Sequence, residues 1–287
     1  MDLNLQGKLV LITGATGNQG GAVARELLKQ GFRVRAMTRD VQKPKALALA
    51  ELGAELVQGD LDDRASVEQA LAGVYGIFAV QNFWETGAER EIQQGIQLAD
   101  TAKAANVQHF VYSSVGSAHL KTGVPHFDSK AEIEAHLQTI GIPYTILRPV
   151  AFNYTWNDPT TRSYIQNGVF SLPMSPETKL QILSEQDYGT FVATALKNPD
   201  RWLGQSLDVA SEELTMLQMV EVFGRVLDRP VRYVQMTWGQ SLQSFGEEYT
   251  AMFRFFEDIG YSADLAVMQQ EYEHLTTLED YLHQQGW

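Results

Sequence analysis

Short apolar runs alternate with segments of helical periodicity along the first two thirds of the chain. The run from Leu9 to Ile12 ends at a glycine-rich turn, after which apolar residues recur at helical spacing through Val23 and Leu27. The same alternation predicts further strands, in chain order, at residues 32–39, 54–58, 74–80, 109–115 and 142–148. Strands that alternate with helices are typical of an α/β fold with a parallel sheet.

The alternation loosens after the sixth predicted strand, because residues 154–183 are mixed and rich in turns. A helix at 184–196 and a strand at 205–211 are predicted to return to the sheet. Residues 212–287 are predicted to be helical apart from a strand at 231–236. We therefore expect a Rossmann-like, doubly wound domain of residues 1–153 and 184–211, and a smaller, mostly helical C-terminal lobe of residues 154–183 and 212–287.

Composition excludes several classes of protein. The 287 residues are 44% hydrophobic and 20% charged, as in an ordinary soluble globule, and no apolar run approaches the length of a membrane span. The charged start, Met1 to Asn4, lacks the apolar segment of a signal peptide. Without cysteine there is no disulfide or thiolate chemistry, which fits a cytoplasmic location, and the six scattered histidines predict no metal site.

Charge is unevenly distributed along the chain. Residues 1–155 contain 14 basic and 16 acidic side chains, whereas residues 156–287 contain 8 basic and 19 acidic ones, a net charge of −11. Because neutralisation of phosphates supplies much of the affinity for nucleic acids, the acidic second half argues against direct binding of DNA or RNA. The nearly neutral first half can still bind a polyanion locally.

The glycine-rich turn after the first strand carries the clearest chemical signal. Gly14 suits a positive φ at the strand exit, Gly17 leaves room for a pyrophosphate, and Gly20 allows the helix to lie close to the sheet. Phosphates would then bind the free N–H groups at the helix N-terminus. The spacing of these three glycines resembles the short-chain dehydrogenase/reductase superfamily, in its atypical branch.

The exit of the second strand indicates which dinucleotide would bind. In this fold an acidic residue there accepts from the ribose 2′-hydroxyl of NAD, whereas an arginine pairs with the 2′-phosphate of NADP. Arg39 comes first, Asp40 follows it, and Lys43 and Lys45 lie just beyond. We therefore predict a preference for NADP(H). The alternative is a solvated charge cluster.

Other strand exits supply further candidates for the cofactor site. By the superfamily resemblance, Asp60 and Leu61 would contact adenine, while Asp62 or Asp63 caps the next helix. Ligands bind at the carboxyl ends of strands in doubly wound sheets, so the following residues are also expected near the cofactor: Gln81, Asn82, Phe83, Ser113, Phe152 and Asn153. Trp84 is as compatible with packing under its loop as with lining a substrate pocket.

His126 and Lys130 occupy the positions where the superfamily carries Tyr-x-x-x-Lys. If a helix already includes residue 126, the i, i+4 spacing places both on one face. The lysine cation would lower the pKa of the histidine and favour neutral imidazole, which is a poor proton donor to an alkoxide. The usual reduction of a carbonyl is therefore disfavoured, whereas hydride delivery with a proton from Lys130 or water stays open. Alternatively, Lys130 only holds the nicotinamide ribose and His126 is an ordinary loop residue.

Seven short segments together resemble the NmrA-like family, and in particular its HSCARG-type NADPH sensors: TGATGNQGG, Thr38-Arg39, QGDLDD, QNFWE, HFVYSS, HFDSKAEIE and MFRFFED. The resemblance implies that Arg39 and Lys43 hold the 2′-phosphate and that Thr16, Asn18 and Gln19 hold the pyrophosphate. Many relatives follow the sixth strand with Phe-x-Glu-Asn, but Tyr154 and Thr155 replace the last two residues here. Substrate contacts at those positions therefore do not carry over.

Two functions follow from these expectations. The first is an NADPH-dependent reductase of a quinone-like or other small apolar acceptor, bound near Phe83, Trp84, Phe152, Tyr154 and Trp156. The second is a non-catalytic NADPH/NADP+ redox sensor whose acidic lobe docks on a regulatory protein partner. A homodimer is left open, and no membrane partner is expected.

Overall fold

The computed structural model describes residues 7–287, so the expectation for the first four residues lies outside the described part. The strands in chain order are β1 (Leu9–Ile12), β2 (Arg33–Thr38), β3 (Glu55–Gln58), β4 (Gly76–Ala79), β5 (His109–Ser113), β6 (Tyr144–Pro149), β7 (Ala151–Phe152), β8 (Val169–Leu172), β9 (Lys179–Leu183), β10 (Ser206–Val209), β11 (Glu212–Thr215) and β12 (Arg232–Gln235). The helices are α1 (Asn18–Lys29), α2 (Pro44–Glu51), α3 (Arg64–Ala70), α4 (Phe83–Ala104), α5 (Pro125–Ile140), α6 (Pro159–Gln166), α7 (Glu185–Lys197), α8 (Pro199–Trp202), α9 (Met216–Val226), α10 (Trp238–Asp258), α11 (Leu265–Glu271) and α12 (Leu278–Gln284).

Over the described residues, the central sheet has seven strands in the order β10-β6-β5-β4-β1-β2-β3, and all its pairings are parallel. The predicted doubly wound fold is confirmed. Strands β1 and β4 are buried along their whole length because helices cover both faces of the sheet. Helices α1 and α7 pack on one face, and α4 and α5 on the other. The strand order reverses between β1 and β4, which is where ligands bind in such sheets.

The segments assigned to the C-terminal lobe share a separate apolar core, to which α9, α10 and α12 contribute. Strand β9 pairs in parallel with β7 and antiparallel with β11, while β8 pairs in parallel with β12. The expectation that residues 212–230 are helical was wrong for β11, because Leu214 is its only large apolar residue and the pairing with β9 determines its conformation. Trp156 packs in this core against Phe170 and Phe223.

Helix α4 begins earlier than the predicted residue 89. Its first turn, residues 83–86, is separated from the rest by Gly87, whose φ of 75° and ψ of 172° are not helical. Helix α10 is interrupted in the same way at Gly246, with φ 82°. No helix within residues 7–287 has both the length and the apolar character that crossing a membrane requires.

His109 is fully buried on β5 and gives a pH dependence to folding. Its Nε2 lies 2.8 Å from Thr145 Oγ1, which itself donates to the Trp202 carbonyl oxygen. The histidine therefore donates from Nε2, and its buried Nδ1 has no hydrogen-bond partner among the described residues. Burial lowers the pKa of His109 from 6.5 to about 4, because a second proton on the ring would be buried without an acceptor.

We expect the free energy of unfolding to decrease as the pH falls from about 6.5 to about 4. In that interval the unfolded chain binds a proton at residue 109 and the folded chain does not, which costs up to about 3 kcal/mol. His109→Gln should flatten the dependence in urea titrations at several pH values, and His119→Gln, at an exposed position, should not. An unchanged slope in His109→Gln would contradict this assignment.

Candidate functional site

The glycine turn between β1 and α1 has the geometry of an anion-binding turn. Gly14 has a φ of 58°, and a Cβ atom on Gly20 would lie 2.4 Å from the Gly14 carbonyl oxygen, so close packing requires glycine there. Gly17 is the N-cap residue of α1, where no side chain accepts a hydrogen bond from the first turn and no acidic residue follows. Exposed N–H groups without a side-chain acceptor favour an anion at this position.

The three residues predicted to hold the pyrophosphate, Thr16, Asn18 and Gln19, differ in their exposure and contacts. Thr16 is half-buried, and Asn18 is exposed beside Gly17. Gln19 instead accepts a hydrogen bond from Ser113 at the end of β5, at 2.7 Å. The hydroxyl of Tyr188 on α7 donates to Ser113 Oγ, also at 2.7 Å. Tyr188 was missed in the sequence because it lies on a helix that returns from far along the chain.

The predicted 2′-phosphate residues lie together beside an unpredicted carboxylate. The guanidinium of Arg39 forms two hydrogen bonds to Glu85, of 2.5 and 3.1 Å. The hydrogen bond from Arg39 lowers the pKa of Glu85, and partial burial opposes this, while Lys43 contributes in the same direction as Arg39. Asp60 lies near enough to help raise the pKa of Arg39. The neighbouring Leu61 is half-buried. This edge therefore carries an arginine that is already paired with a carboxylate, and a lysine close enough to help lower the pKa of that carboxylate.

Two buried amide side chains at the strand ends have no partner among residues 7–287. Gln81, which follows β4, is 8% exposed, and Asn153, which follows β7, is fully buried. Neither amide nitrogen nor amide oxygen of either residue forms a hydrogen bond to the described protein atoms. Because buried polar groups are almost always paired, these two side chains indicate that water or a ligand supplies the missing partners.

Residues around Gln81 and Asn153 are aromatic. Phe83 is partly buried and Phe152 is buried, and Phe152 stacks on Tyr154 at a ring separation of 5.1 Å. Trp84 is 54% exposed and stacks on Tyr249 of α10 at 4.6 Å. Trp156, which the sequence placed near the substrate, instead lies in the core of the C-terminal segments. Its expected role at the site was wrong, because its side chain points away into that core.

His126 and Lys130 lie on one face of α5, since that helix begins at Pro125, but each is held by a carboxylate. His126 Nδ1 and the backbone N–H of His126 both bind Glu248 of α10. Burial lowers the pKa of His126; Glu248 opposes the shift, and Lys130 contributes to it only in a minor way. The expected direction was right, but its main cause is burial. The neutral form of this histidine is favoured.

Lys130 forms an ion pair with Glu91, a fully buried residue of α4. Ser129 donates to the other oxygen of Glu91 at 2.5 Å. The hydroxyl of Tyr112 on β5 is buried and without a partner in the described part of the chain, and Glu91 and Glu134 help burial to raise its pKa. Glu91 and Glu248 have no local signature in the sequence, because each lies far from its partner along the chain.

Comparison with known proteins gives consistent results. The NmrA-like family model matches residues 6–282. An NmrA-like family domain-containing protein of Dictyostelium discoideum is 30% identical, with 96% of this chain and 97% of the relative covered. Among solved structures, a triphenylmethane reductase of Citrobacter sp. complexed with NADP(H) matches with a TM-score of 0.81 and 20% identity, over 96% of this chain and 99% of that one. An NADPH-dependent quinone oxidoreductase of Escherichia coli matches with a TM-score of 0.78 and 24% identity, over 96% and 99%.

Proposed function

Since the chain belongs to the NmrA-like family, we propose that it binds NADP(H) and reduces a small, flat, apolar acceptor such as a quinone. The observation that carries the proposal is the pair of buried, unpartnered amides, Gln81 and Asn153, on a chain whose glycine turn presents free N–H groups. Gln81 follows β4, beside the point where the strand order reverses and a doubly wound sheet binds its ligand, and Asn153 lies four residues beyond the end of β6. The two solved structures of similar fold, which bind NADP(H) or use NADPH, support the same choice of cofactor.

The residues present fit a dinucleotide phosphate. Gly14, Gly17 and Gly20 leave the space and the free N–H groups that a pyrophosphate needs. Arg39 and Lys43 supply positive charge for the 2′-phosphate. The remaining assignments are Thr16, Asn18 and Gln19 at the pyrophosphate, Asp60 and Leu61 at the adenine, Gln81, Asn82 and Phe83 at the ribose and phosphates, and Lys130 at the nicotinamide ribose, with Ser113, Phe152 and Asn153 as further cofactor contacts. When bound, NADPH supplies the hydride.

The side chains opposite the cofactor favour an acceptor that needs no proton from the protein. Neutral His126 is bound to Glu248 and is a poor proton donor, and the ammonium of Lys130 is held by Glu91 in an ion pair. We therefore expect neither group to protonate an alkoxide efficiently as the hydride arrives. A quinone forms a stable phenolate and takes its protons from water, whereas an aldehyde needs the acid. The exposed face of Trp84 and the ring of Tyr249 suit a flat apolar ring.

NADPH oxidation measured with quinones, enones and aldehydes tests this proposal. We expect turnover with quinones and little with aldehydes, for the reason given above. Arg39→Ala serves as a control, because it should raise the NADPH concentration required without changing the order of acceptors. No turnover with any acceptor, despite tight binding of NADPH, would exclude the reductase function.

A specific contact favours the NADPH sensor as the second candidate. Trp84 in the first turn of α4 stacks on Tyr249, and His126 of α5 binds Glu248, so the segment that follows β4 touches α10 directly. The acidic second half of the chain would then present a partner surface. If a protein partner is captured in equal amounts with NADPH, with NADP+ and without either, the result would argue against the sensor.

A further inference from the structure

Glu85 occupies the face of Arg39 that a phosphate would use. Its two carboxylate oxygens accept from Nη1 and Nη2 of Arg39 at 2.5 and 3.1 Å, an arrangement in which two parallel N–H groups bind one anion. Both side chains remain about half exposed, at 57% for Arg39 and 45% for Glu85, so a phosphate from solvent can reach the pair. A phosphate that binds these two N–H groups must displace the carboxylate.

The turn that carries Glu85 is separated from the rest of α4 by a break in the helix. Residues 83–86 form a single turn that ends at Gly87, whose φ of 75° breaks the helix. Apart from its chain neighbours, no protein atom lies within 4 Å of the position that a Cβ atom on Gly87 would occupy, so nothing packs against this side of the break. The carboxylate of Glu85 also accepts a hydrogen bond from Asn82 Nδ2 at 3.3 Å, from the residue just before this turn. The pair with Arg39 therefore ties this turn to the exit of β2.

The opposite side of the same turn touches the C-terminal part of the chain. Trp84, adjacent to Glu85, stacks on Tyr249 with the two ring planes 11° apart. Its ring also lies 5.1 Å from that of His126. A displacement of Glu85 would therefore move the turn that carries Trp84. The fluorescence of Trp84 depends on its contact with Tyr249 of α10 and should change with that movement.

We propose that Glu85 is an internal competitor for Arg39, which a ribose 2′-phosphate displaces, and that this displacement releases residues 83–86 from the exit of β2. The inference rests on the proposed function, because it places the 2′-phosphate at Arg39. A ligand without the 2′-phosphate leaves the pair intact. The device therefore distinguishes NADPH from NADH by a movement of the protein as well as by affinity.

Glu85→Gln tests the competition with NADPH, NADH, 2′,5′-ADP and 5′-AMP as probes. The variant should bind NADPH and 2′,5′-ADP about threefold to tenfold more tightly, because the phosphate no longer displaces a carboxylate, and should bind NADH and 5′-AMP unchanged. In an Arg39→Ala background the gain should vanish. Glu68→Gln, which breaks a similarly exposed pair with Arg64, is the matched control and should change the affinity for none of the four ligands.

Tryptophan fluorescence tests the release of the turn, with probes that carry no nicotinamide. Addition of 2′,5′-ADP to the wild type should change the emission, 5′-AMP should not, and Trp84→Phe should remove the difference. The ligand-free Glu85→Gln variant should resemble the wild type with 2′,5′-ADP. If the wild type binds NADPH but Glu85→Gln binds it no more tightly, or if 5′-AMP changes the emission equally, the proposed displacement of Glu85 is wrong while the proposed function stands. If the wild type does not bind NADPH, both are wrong.

Discussion

Replacing Arg39 with alanine should weaken NADPH binding about 10-fold to 100-fold and leave NADH binding nearly unchanged. A hydrogen bond to a charged group contributes about 1.5 to 3 kcal/mol, and this arginine offers two such bonds to a phosphate dianion that NADH lacks. In the wild type, the binding free energy from these two hydrogen bonds is partly offset, because the phosphate must replace Glu85. The effect belongs to the cofactor's 2′-position, so it should be equally large for 2′,5′-ADP.

Titrations of both dinucleotides against the wild type and the variant measure this difference. Arg64→Ala removes another exposed arginine that pairs with a glutamate, and it controls for a general loss of positive charge. The same loss of affinity for NADPH and NADH in Arg39→Ala would show that Arg39 does not read the 2′-phosphate. Because the side chain of Arg39 is 57% exposed, we expect the variant to fold normally.

Replacing Arg148 with methionine should lower the free energy of unfolding by about 3 to 5 kcal/mol. Arg148 lies on β6, where its Nε and Nη2 donate to Glu134 at 2.9 and 2.6 Å, and its Nη1 lies 3.5 Å from Asp208 on β10. Glu134 also accepts from Ser114, and Asp208 accepts from the backbone N–H of Ser117. Without the guanidinium, two largely buried carboxylates remain without their counterion.

Urea unfolding of the wild type and the variant measures the loss, which should also lower the melting temperature by about 10 °C. Arg225→Met, which breaks an exposed pair with Glu279, should not change the urea midpoint detectably. Adding Glu134→Gln to Arg148→Met should cost less than the sum of the two single changes, because one unpaired charge is removed. Strict additivity would show that this network does not couple the two residues.

Local patterns predicted much of the domain that carries the site. Buried strands such as β1 and β4 read as short apolar runs, and the three glycines marked the turn before α1. The predicted return of α7 and β10 to the sheet is also observed, and β10 forms its seventh strand in the described residues. The NmrA-like resemblance was confirmed. The apolar strands and the glycine turn depend on neighbouring residues, so the sequence shows them directly.

Other features had no local signal. Strand β11 has a single large apolar residue, and only its pairing with β9 makes it extended. Helix α2 was not predicted, and Gly87 separates a first turn of α4 that periodicity alone did not reveal. Trp156 follows the predicted site in the chain but is drawn into the other core by Phe170 and Phe223.

The sequence by itself determined the glycine turn, the seven strands of the central sheet in chain order, and the positive charges at the exit of β2. Those depend on the size and conformational freedom of neighbouring residues, which the chain carries locally. Only the tertiary structure decided which carboxylates lie beside those groups: Glu85 at Arg39, Glu91 at Lys130 and Glu248 at His126. The two residues of each pair are separated by between 39 and 122 positions along the chain. Their contact therefore follows from how whole helices pack on the sheet. That packing ties both residues of the expected catalytic pair to acids and leaves Gln81 and Asn153 without partners among residues 7–287.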